Sequence, residues 1–280
     1  GQGMSGRLVG VGVGPGDPEL LTVKGLRVLR EADEVFVPVA DTGEIGRAEA
    51  TVREYLDEGR IKRLLFALSD DMEARERNWT NAAQGVSEQL RSGKTCAFAT
   101  IGDPNVYSTF TYLARTVRRI EPDVEVETVP GITALQDLAS RSGTVLLEGD
   151  ERLALLPFTA GEESLRDALA GFETVVCYKG GSRLGEVLGV AEEEGMLDRA
   201  VYGSRLGIAG EEIALSARIV VIADIVESFR RLGGVAAAVD QARRGWRDPP
   251  VAGAVDPLVG AVREHVGHRL RHGRHPGVVE

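Results

Sequence analysis

Three times before Leu135 an apolar run breaks into a glycine- and proline-bearing turn and then gives way to helical spacing. The turns are Gly12-Val13-Gly14-Pro15-Gly16-Asp17-Pro18, Ile101-Gly102-Asp103-Pro104 and Val129-Pro130-Gly131-Ile132-Thr133. A buried strand that feeds a helix through a tight turn, repeated, specifies a mostly parallel sheet with helices on both faces. In such folds small molecules bind at the carboxyl ends of the strands, where these turns lie. The repetition thus fixes the fold class as α/β and marks one sheet edge as the candidate site.

The spacing elsewhere fits that frame. Leu8–Val13 reads as the first strand, and one helix is expected from Pro18 to about Ala32. Strands follow at Glu34–Val37, Ile61–Leu65 and Cys96–Ile101, separated by helices over about Glu44–Leu56 and Asp71–Arg91. Val106, Phe110, Leu113, Ala114 and Val117 recur at helical intervals, with Arg115, Arg118 and Arg119 placed to complement the helix dipole. Ile120-Glu121-Pro122-Asp123 is a short polar break containing proline, so the chain divides there into domains 5–121 and 122–224. The second domain is expected to hold strands at Val124–Val129, Leu153–Leu156, Thr174–Tyr178, Ala200–Tyr202 and Ile219–Ile222, and a helix from Ala134. Its short connections suggest more antiparallel pairing than in the first.

Composition narrows the function classes. The 280 residues carry a net charge of −10 with 5% aromatics, which lacks the basic, stacking surface that nucleic acid requires. No apolar run approaches membrane-spanning length and no signal peptide is evident, so a cytoplasmic setting is expected. Gly1-Gln2-Gly3 ahead of Met4 looks like an expression scar. Cys96 and Cys177 each sit in an apolar run and read as buried free thiols. Residues 225–280 hold nine Arg against six Asp and Glu, a balance of +3 that leaves −13 on the rest of the chain.

The turns also select a ligand chemistry. Asp17 and Asp103 stand at N-cap positions, each followed by a proline at the first helical position. A phosphate cradle needs free amide donors and the positive end of a helix. Here the carboxylates take those amides and add negative charge, while Pro15 and Pro18 have no N–H to give. Such a site repels pyrophosphate and accepts a cation, as the sulfonium of S-adenosyl-L-methionine would be. Gly10, Gly12 and Gly14 give a weak dinucleotide signal, but the acidic residue expected after the second strand is missing at Val37-Pro38-Val39.

At Gly12–Thr22, where the first turn continues into Glu19-Leu20-Leu21-Thr22, the chain resembles the tetrapyrrole (corrin and sirohaem) methyltransferases. Four stretches narrow the likeness to the subfamily acting on precorrin-2 at C-20. They are Thr22-Val23-Lys24 through Ala32–Val39, Ile101–Phe110, Val129–Ala134 and Leu147-Glu148-Gly149-Asp150-Glu151. Tyr107-Ser108-Thr109-Phe110 distinguishes it from the uroporphyrinogen-type enzymes. The resemblance runs from about Arg7 to Glu212. It implies a homodimer of protomers with two α/β domains and a trough between them. It further implies S-adenosyl-L-methionine as methyl donor, S-adenosyl-L-homocysteine as product and a small-molecule tetrapyrrole as acceptor.

Pro15, Ile101, Gly102, Asp103, Val106, Thr133 and Ala134 match the family's cofactor contacts, with Lys179 and Leu206 at two later contact positions. Tyr107 and Ser108 would face the reacting end of the donor, and their alternative is ordinary packing at a helix start. No base is assigned. Lys24 and Arg27 lie near the first turn, where they could meet substrate carboxylates or simply be solvated.

The chain departs from the family pattern after Ile222, where a tail over 225–280 carries all four histidines: His265, His268, His272 and His275. Their spacing admits a metal reading, but Gly267, Gly273 and Pro276 oppose a stable helix, so no metal site is expected. Two other classes stay open on residues alone: a nicotinamide-dependent reductase, resting on the early glycines, and a non-catalytic pathway scaffold that kept the fold. Within the family, methylation of another corrin position or of a non-tetrapyrrole acceptor is the alternative.

Overall fold

The structure, a computed structural model, describes residues 6–40, 43–66, 72–178, 183–196, 199–215 and 219–222. The tail over 225–280, its histidines and Lys179 lie outside the described residues. The chain divides into two compact units, one of residues 1–137 with 205–211, the other of 138–204 with 212–280. Among the described residues no helix is long and apolar enough to cross a membrane.

The first unit is built on β1 (Arg7–Gly12), β2 (Glu34–Val39), β3 (Ile61–Leu65), β4 (Thr95–Thr100) and β5 (Glu125–Val129). They form one parallel sheet in the order β3-β2-β4-β1-β5. Parallel pairing brings the carboxyl ends of β4, β1 and β5 side by side, so the three turns gather on one edge as the sequence implied. Alternate residues supply two different cores. On one face Val9, Val11, Val35, Val37, Ala97 and Ala99 meet α1 (Val23–Glu31) and α2 (Arg47–Arg53). On the other, Leu8, Phe36, Cys96 and Phe98 meet α3 (Met72–Arg91) and α4 (Phe110–Ile120).

The second unit carries a helix over residues 138–142, the end of α5 (Ala134–Ser142), together with β6 (Leu153–Pro157), α6 (Glu162–Gly171), β7 (Thr174–Tyr178), α7 (Leu184–Glu193), β8 (Ala200–Ser204), β9 (Glu212–Leu215) and β10 (Ile219–Ile222). Its sheet runs β6-β7-β10-β8-β9. Among the described residues only β8 and β9 pair antiparallel, so it is more parallel than the short connections suggested. Leu165, Leu169, Val187 and Val190 pack on Val175, Cys177 and Tyr202 to form its core. The terminal apolar run becomes β10, inserted between β7 and β8.

Two expectations are corrected. The break at Pro122 is not the boundary between units: it turns α4 into β5, with the Val124 amide donating to the Glu121 carbonyl, and β5 pairs with β1. A proline–aspartate turn has the same composition whether it joins elements or domains. The single helix expected from Pro18 is two pieces, a one-turn 3-10 helix over Pro18–Leu20 and α1. Thr22 separates them, its hydroxyl accepting from the Gly25 amide at 3.0 Å as a fresh N-cap.

Candidate functional site

The site begins with close backbone contacts at the tips of β1, β4 and β5. The Gly102 amide donates to the Gly14 carbonyl at 2.7 Å, bridging the first two turns. A Cβ at Gly131 would stand 2.0 Å from the Gly102 oxygen, and one at Gly12 would stand 2.7 Å from Gly131. No side chain fits in such gaps, so glycine is required at both positions to let the turns interlock. Gly10 has a different role. A Cβ there would lie 2.5 Å from the Phe110 ring, so this glycine seats α4 on the sheet and belongs to no nucleotide motif.

Each acidic turn residue spends its carboxylate on backbone amides. Asp17 Oδ1 accepts from the Glu19 amide at 2.9 Å and caps the 3-10 turn that Pro18 opens. Asp103 is not the N-cap of α4, because that helix starts only at Phe110. Its Oδ1 accepts from the Asn105 amide at 2.8 Å, and its Oδ2 reaches the Gly131 amide at 3.0 Å. One carboxylate therefore ties the second turn to the third. Asn105 adds a second tie, its side-chain amide donating to Thr128 Oγ1 at 3.2 Å. Carboxylates bonded in this way leave a rim poor in donors and rich in negative charge, unsuited to phosphate.

The two reaction-end candidates separate. Ser108 is buried, shares a 2.8 Å hydrogen bond with Thr100 Oγ1 and accepts from the Phe110 amide at 3.1 Å, so it shapes the turn just ahead of α4, whose N-cap residue is Thr109. Tyr107 is 41% exposed and takes a left-handed backbone, φ 48°, which is uncommon for an aromatic residue. Among the cofactor candidates, Pro15, Gly102 and Ala134 are buried, while Ile101, Asp103, Val106 and Thr133 are half-buried at the tips of the same three strands. Thr133 precedes α5, and the Gln136 side chain reaches back to accept from its amide at 3.0 Å. Thr-x-x-Gln is a capping-box pattern, a local signal legible in the sequence. Of the two basic candidates near the first turn, Arg27 pairs with Glu31 at 3.3 Å and Lys24 is exposed.

Leu206 reaches the first turn from far along the chain. It lies in the loop Arg205–Glu211, which belongs to the first compact unit. Leu206 is buried, its carbonyl oxygen is 2.4 Å from where a Cβ of Gly16 would stand, and a Cβ at Gly207 would stand 2.7 Å from the Asp17 amide nitrogen. The Gly207 amide donates to Glu211 Oε2 at 2.6 Å and closes the loop into a strap. Its signal in the sequence was the pair Gly207 and Gly210, spaced to turn the chain twice.

The family model of the tetrapyrrole (corrin/porphyrin) methylases matches residues 7–218, a span that contains all three turns and the strap. The chain belongs to this family. Among relatives of these methylases, the chain is 36% identical over 210 residues to a probable cobalt-precorrin-2 C(20)-methyltransferase of Methanocaldococcus jannaschii, covering 73% of this chain and 87% of that one. It is 36% identical over 209 residues to a precorrin-2 C(20)-methyltransferase of a Sinorhizobium species, covering 71% and 84%. In fold it is similar to a cobalt precorrin-4 methyltransferase, with a TM-score of 0.55 at 21% identity over 74% of this chain and 84% of that one. It is also similar to a uroporphyrin-III C-methyl transferase of Thermus thermophilus solved with S-adenyl homocysteine, with a TM-score of 0.52 at 25% identity over 75% and 87%.

Proposed function

We propose that this methylase transfers a methyl group from S-adenosyl-L-methionine to the C-20 meso carbon of precorrin-2 or its cobalt complex, giving precorrin-3A and S-adenosyl-L-homocysteine. The observation that carries the reading is the interlocked rim of Asp17, Asp103, Gly12, Gly102 and Gly131, whose carboxylates occupy backbone amides that a phosphate cradle would need. That chemistry suits a sulfonium donor, and two relatives at 36% identity bear C(20)-methyltransferase names. The donor supplies an electrophilic methyl group when bound.

In this reading Pro15, Ile101, Gly102, Asp103 and Val106 hold the donor from the first two turns, Thr133 and Ala134 from the third, and Leu206 from the strap. Lys179 is carried as a further contact. The acceptor carbon is enamine-like and needs little activation, so the protein's contribution is to hold carbon and methyl in line at near-attack distance. Tyr107, exposed on a left-handed backbone at the rim, is the side chain proposed to touch the reacting groups. Ser108 positions that turn through Thr100 and Phe110. A homodimer in the cytoplasm accompanies the reading.

The test is incubation of the full chain with S-adenosyl-L-methionine and either precorrin-2 or cobalt-precorrin-2, read by mass and by carbon NMR. Gain of one methyl at C-20 is expected with at least one form. No gain with either, or a methyl at another carbon, contradicts the proposal.

A further inference from the structure

The strap contains three residues with left-handed backbones: Arg205 at φ 52°, Gly207 at φ 75° and Gly210 at φ 82°. At two of them the chain uses glycine, which holds such a conformation without steric cost. At the third it uses arginine, which strains against its own Cβ there. Among the described residues only one other non-glycine residue has positive φ, and it is Tyr107 in the turn between β4 and α4. A side chain kept where turn geometry favours glycine points to a role for the side chain itself.

The Arg205 guanidinium is also held in place without an anion. A Cβ at Gly210 would stand 3.4 Å from its Nε, Cζ and one terminal nitrogen, so the planar group lies across the face of that glycine. Arg53, Arg63, Arg91, Arg152, Arg166 and Arg183 all pair with carboxylates. The exposed Arg205 side chain makes no hydrogen bond or ion pair among the described residues, while its carbonyl accepts from the Ile208 amide. The carboxylate of Glu211, in the same strap, accepts from the Gly207 amide. The residue next to Arg205, Leu206, presses its carbonyl on Gly16 of the first turn, which puts the arginine at a rim whose own charges, Asp17 and Asp103, are negative. An anionic ligand entering there needs a cation to offset that repulsion.

We infer that Arg205 binds a ligand carboxylate, its guanidinium fork receiving the two oxygens side by side. The inference rests on the methyl-transfer reading, in which both partners carry carboxylates: the amino-acid group of the donor, and the acetate and propionate arms of the tetrapyrrole. The shared chemistry is the carboxylate, and the test separates the two sources.

Arg205→Asn and Arg205→Lys are made in the full chain. Asparagine tolerates the left-handed backbone, so the melting temperature of Arg205→Asn should equal or exceed that of the parent. Dissociation constants are measured for S-adenosyl-L-homocysteine and for 5′-methylthioadenosine, which keeps the thioether and adenosine but has no carboxylate. KM and kcat are measured for precorrin-2.

If Arg205 holds the donor, Arg205→Asn weakens S-adenosyl-L-homocysteine binding by about tenfold to a hundredfold and leaves methylthioadenosine unchanged. If it holds the acceptor, donor binding stays constant and KM rises by a similar factor with kcat little altered. In both cases Arg205→Lys recovers part of the loss. Unchanged constants in Arg205→Asn overturn the inference, as does an equal loss for both thioethers. A fall in melting temperature that tracks the loss in both variants also overturns it, in favour of a structural strap. Parent protein that neither binds S-adenosyl-L-homocysteine nor methylates precorrin-2 instead removes the reading beneath it.

Discussion

At the strand tips of the first unit, a methyl group added to Gly131 would stand 2.0 Å from a carbonyl oxygen, and one added to Gly16 would stand 2.4 Å from another. In the second unit, a methyl group added to Gly143, Gly149, Gly161, Gly171 or Gly195 would meet nothing within 4 Å. Both units are α/β and rich in glycine, yet the residue serves different ends in them. In the second, Gly143, Gly149, Gly161 and Gly195 let the chain turn through positive φ. In the first, glycine lets three separate turns and a distant strap touch backbone to backbone. Tolerance that tight is costly to maintain, and it occurs where a ligand is proposed to sit.

The comparison is easiest to break at Gly131. Gly131→Ala forces the third turn off the second, so we expect loss of S-adenosyl-L-homocysteine binding by calorimetry and a stability loss of about 3 kcal/mol in urea unfolding. Wild-type binding in this variant would show that the interlock is incidental. Next comes Asp103→Asn, which keeps one acceptor oxygen for two amides, Asn105 and Gly131, and leaves the other facing an NH2 group. It should cost about 2 kcal/mol and weaken donor binding about tenfold. Gly10→Ala, against the Phe110 ring, should destabilise by about 1–3 kcal/mol while donor affinity holds within a small factor, because that glycine seats a helix only.

At the other end of the scale, Gly171→Ala places a better helix former at the last residue of α6, in open space. It should raise stability by about 0.5–1 kcal/mol and leave methylation unchanged. The smallest effect at neutral pH concerns the thiols. Burial pushes both Cys96 and Cys177 up to about 12, so neither should react with iodoacetamide in the folded protein at pH 8. Unfolded thiols begin to lose protons near about pH 8.5 while the folded ones keep theirs, so their stabilising contribution is complete below that pH and falls as pH rises toward 12. Mass labelling and urea melts from pH 7 to 10 check both statements.

Much of this contrast was legible in the residues. The apolar runs that end at Gly12 and Thr100 revealed parallel strands, because a strand buried on both faces has no polar alternation to confuse it, whereas β5, ending at Val129, is an edge strand that carries Glu125 and Glu127. Asp17 capping a turn led by Pro18 was also readable, since both signals are local. Three things were not. The reach of Asp103 to Gly131 spans residues far apart in sequence, and nothing local distinguishes it from a cap. The membership of β5 in the first sheet depends on register with β1, which Pro122 obscured. The strap's return to Gly16 joins residues far apart in sequence, and nothing local to Leu206 marks it.

The central claim is that these acidic, donor-poor strand tips hold a positively charged methyl donor and turn away phosphate-bearing nucleotides. The most direct measurement is a competitive calorimetric titration of the full chain with S-adenosyl-L-homocysteine, NAD and ATP under one buffer condition. We predict saturable binding of S-adenosyl-L-homocysteine that neither nucleotide displaces. Displacement by NAD or ATP, or binding of either in its place, would contradict the account.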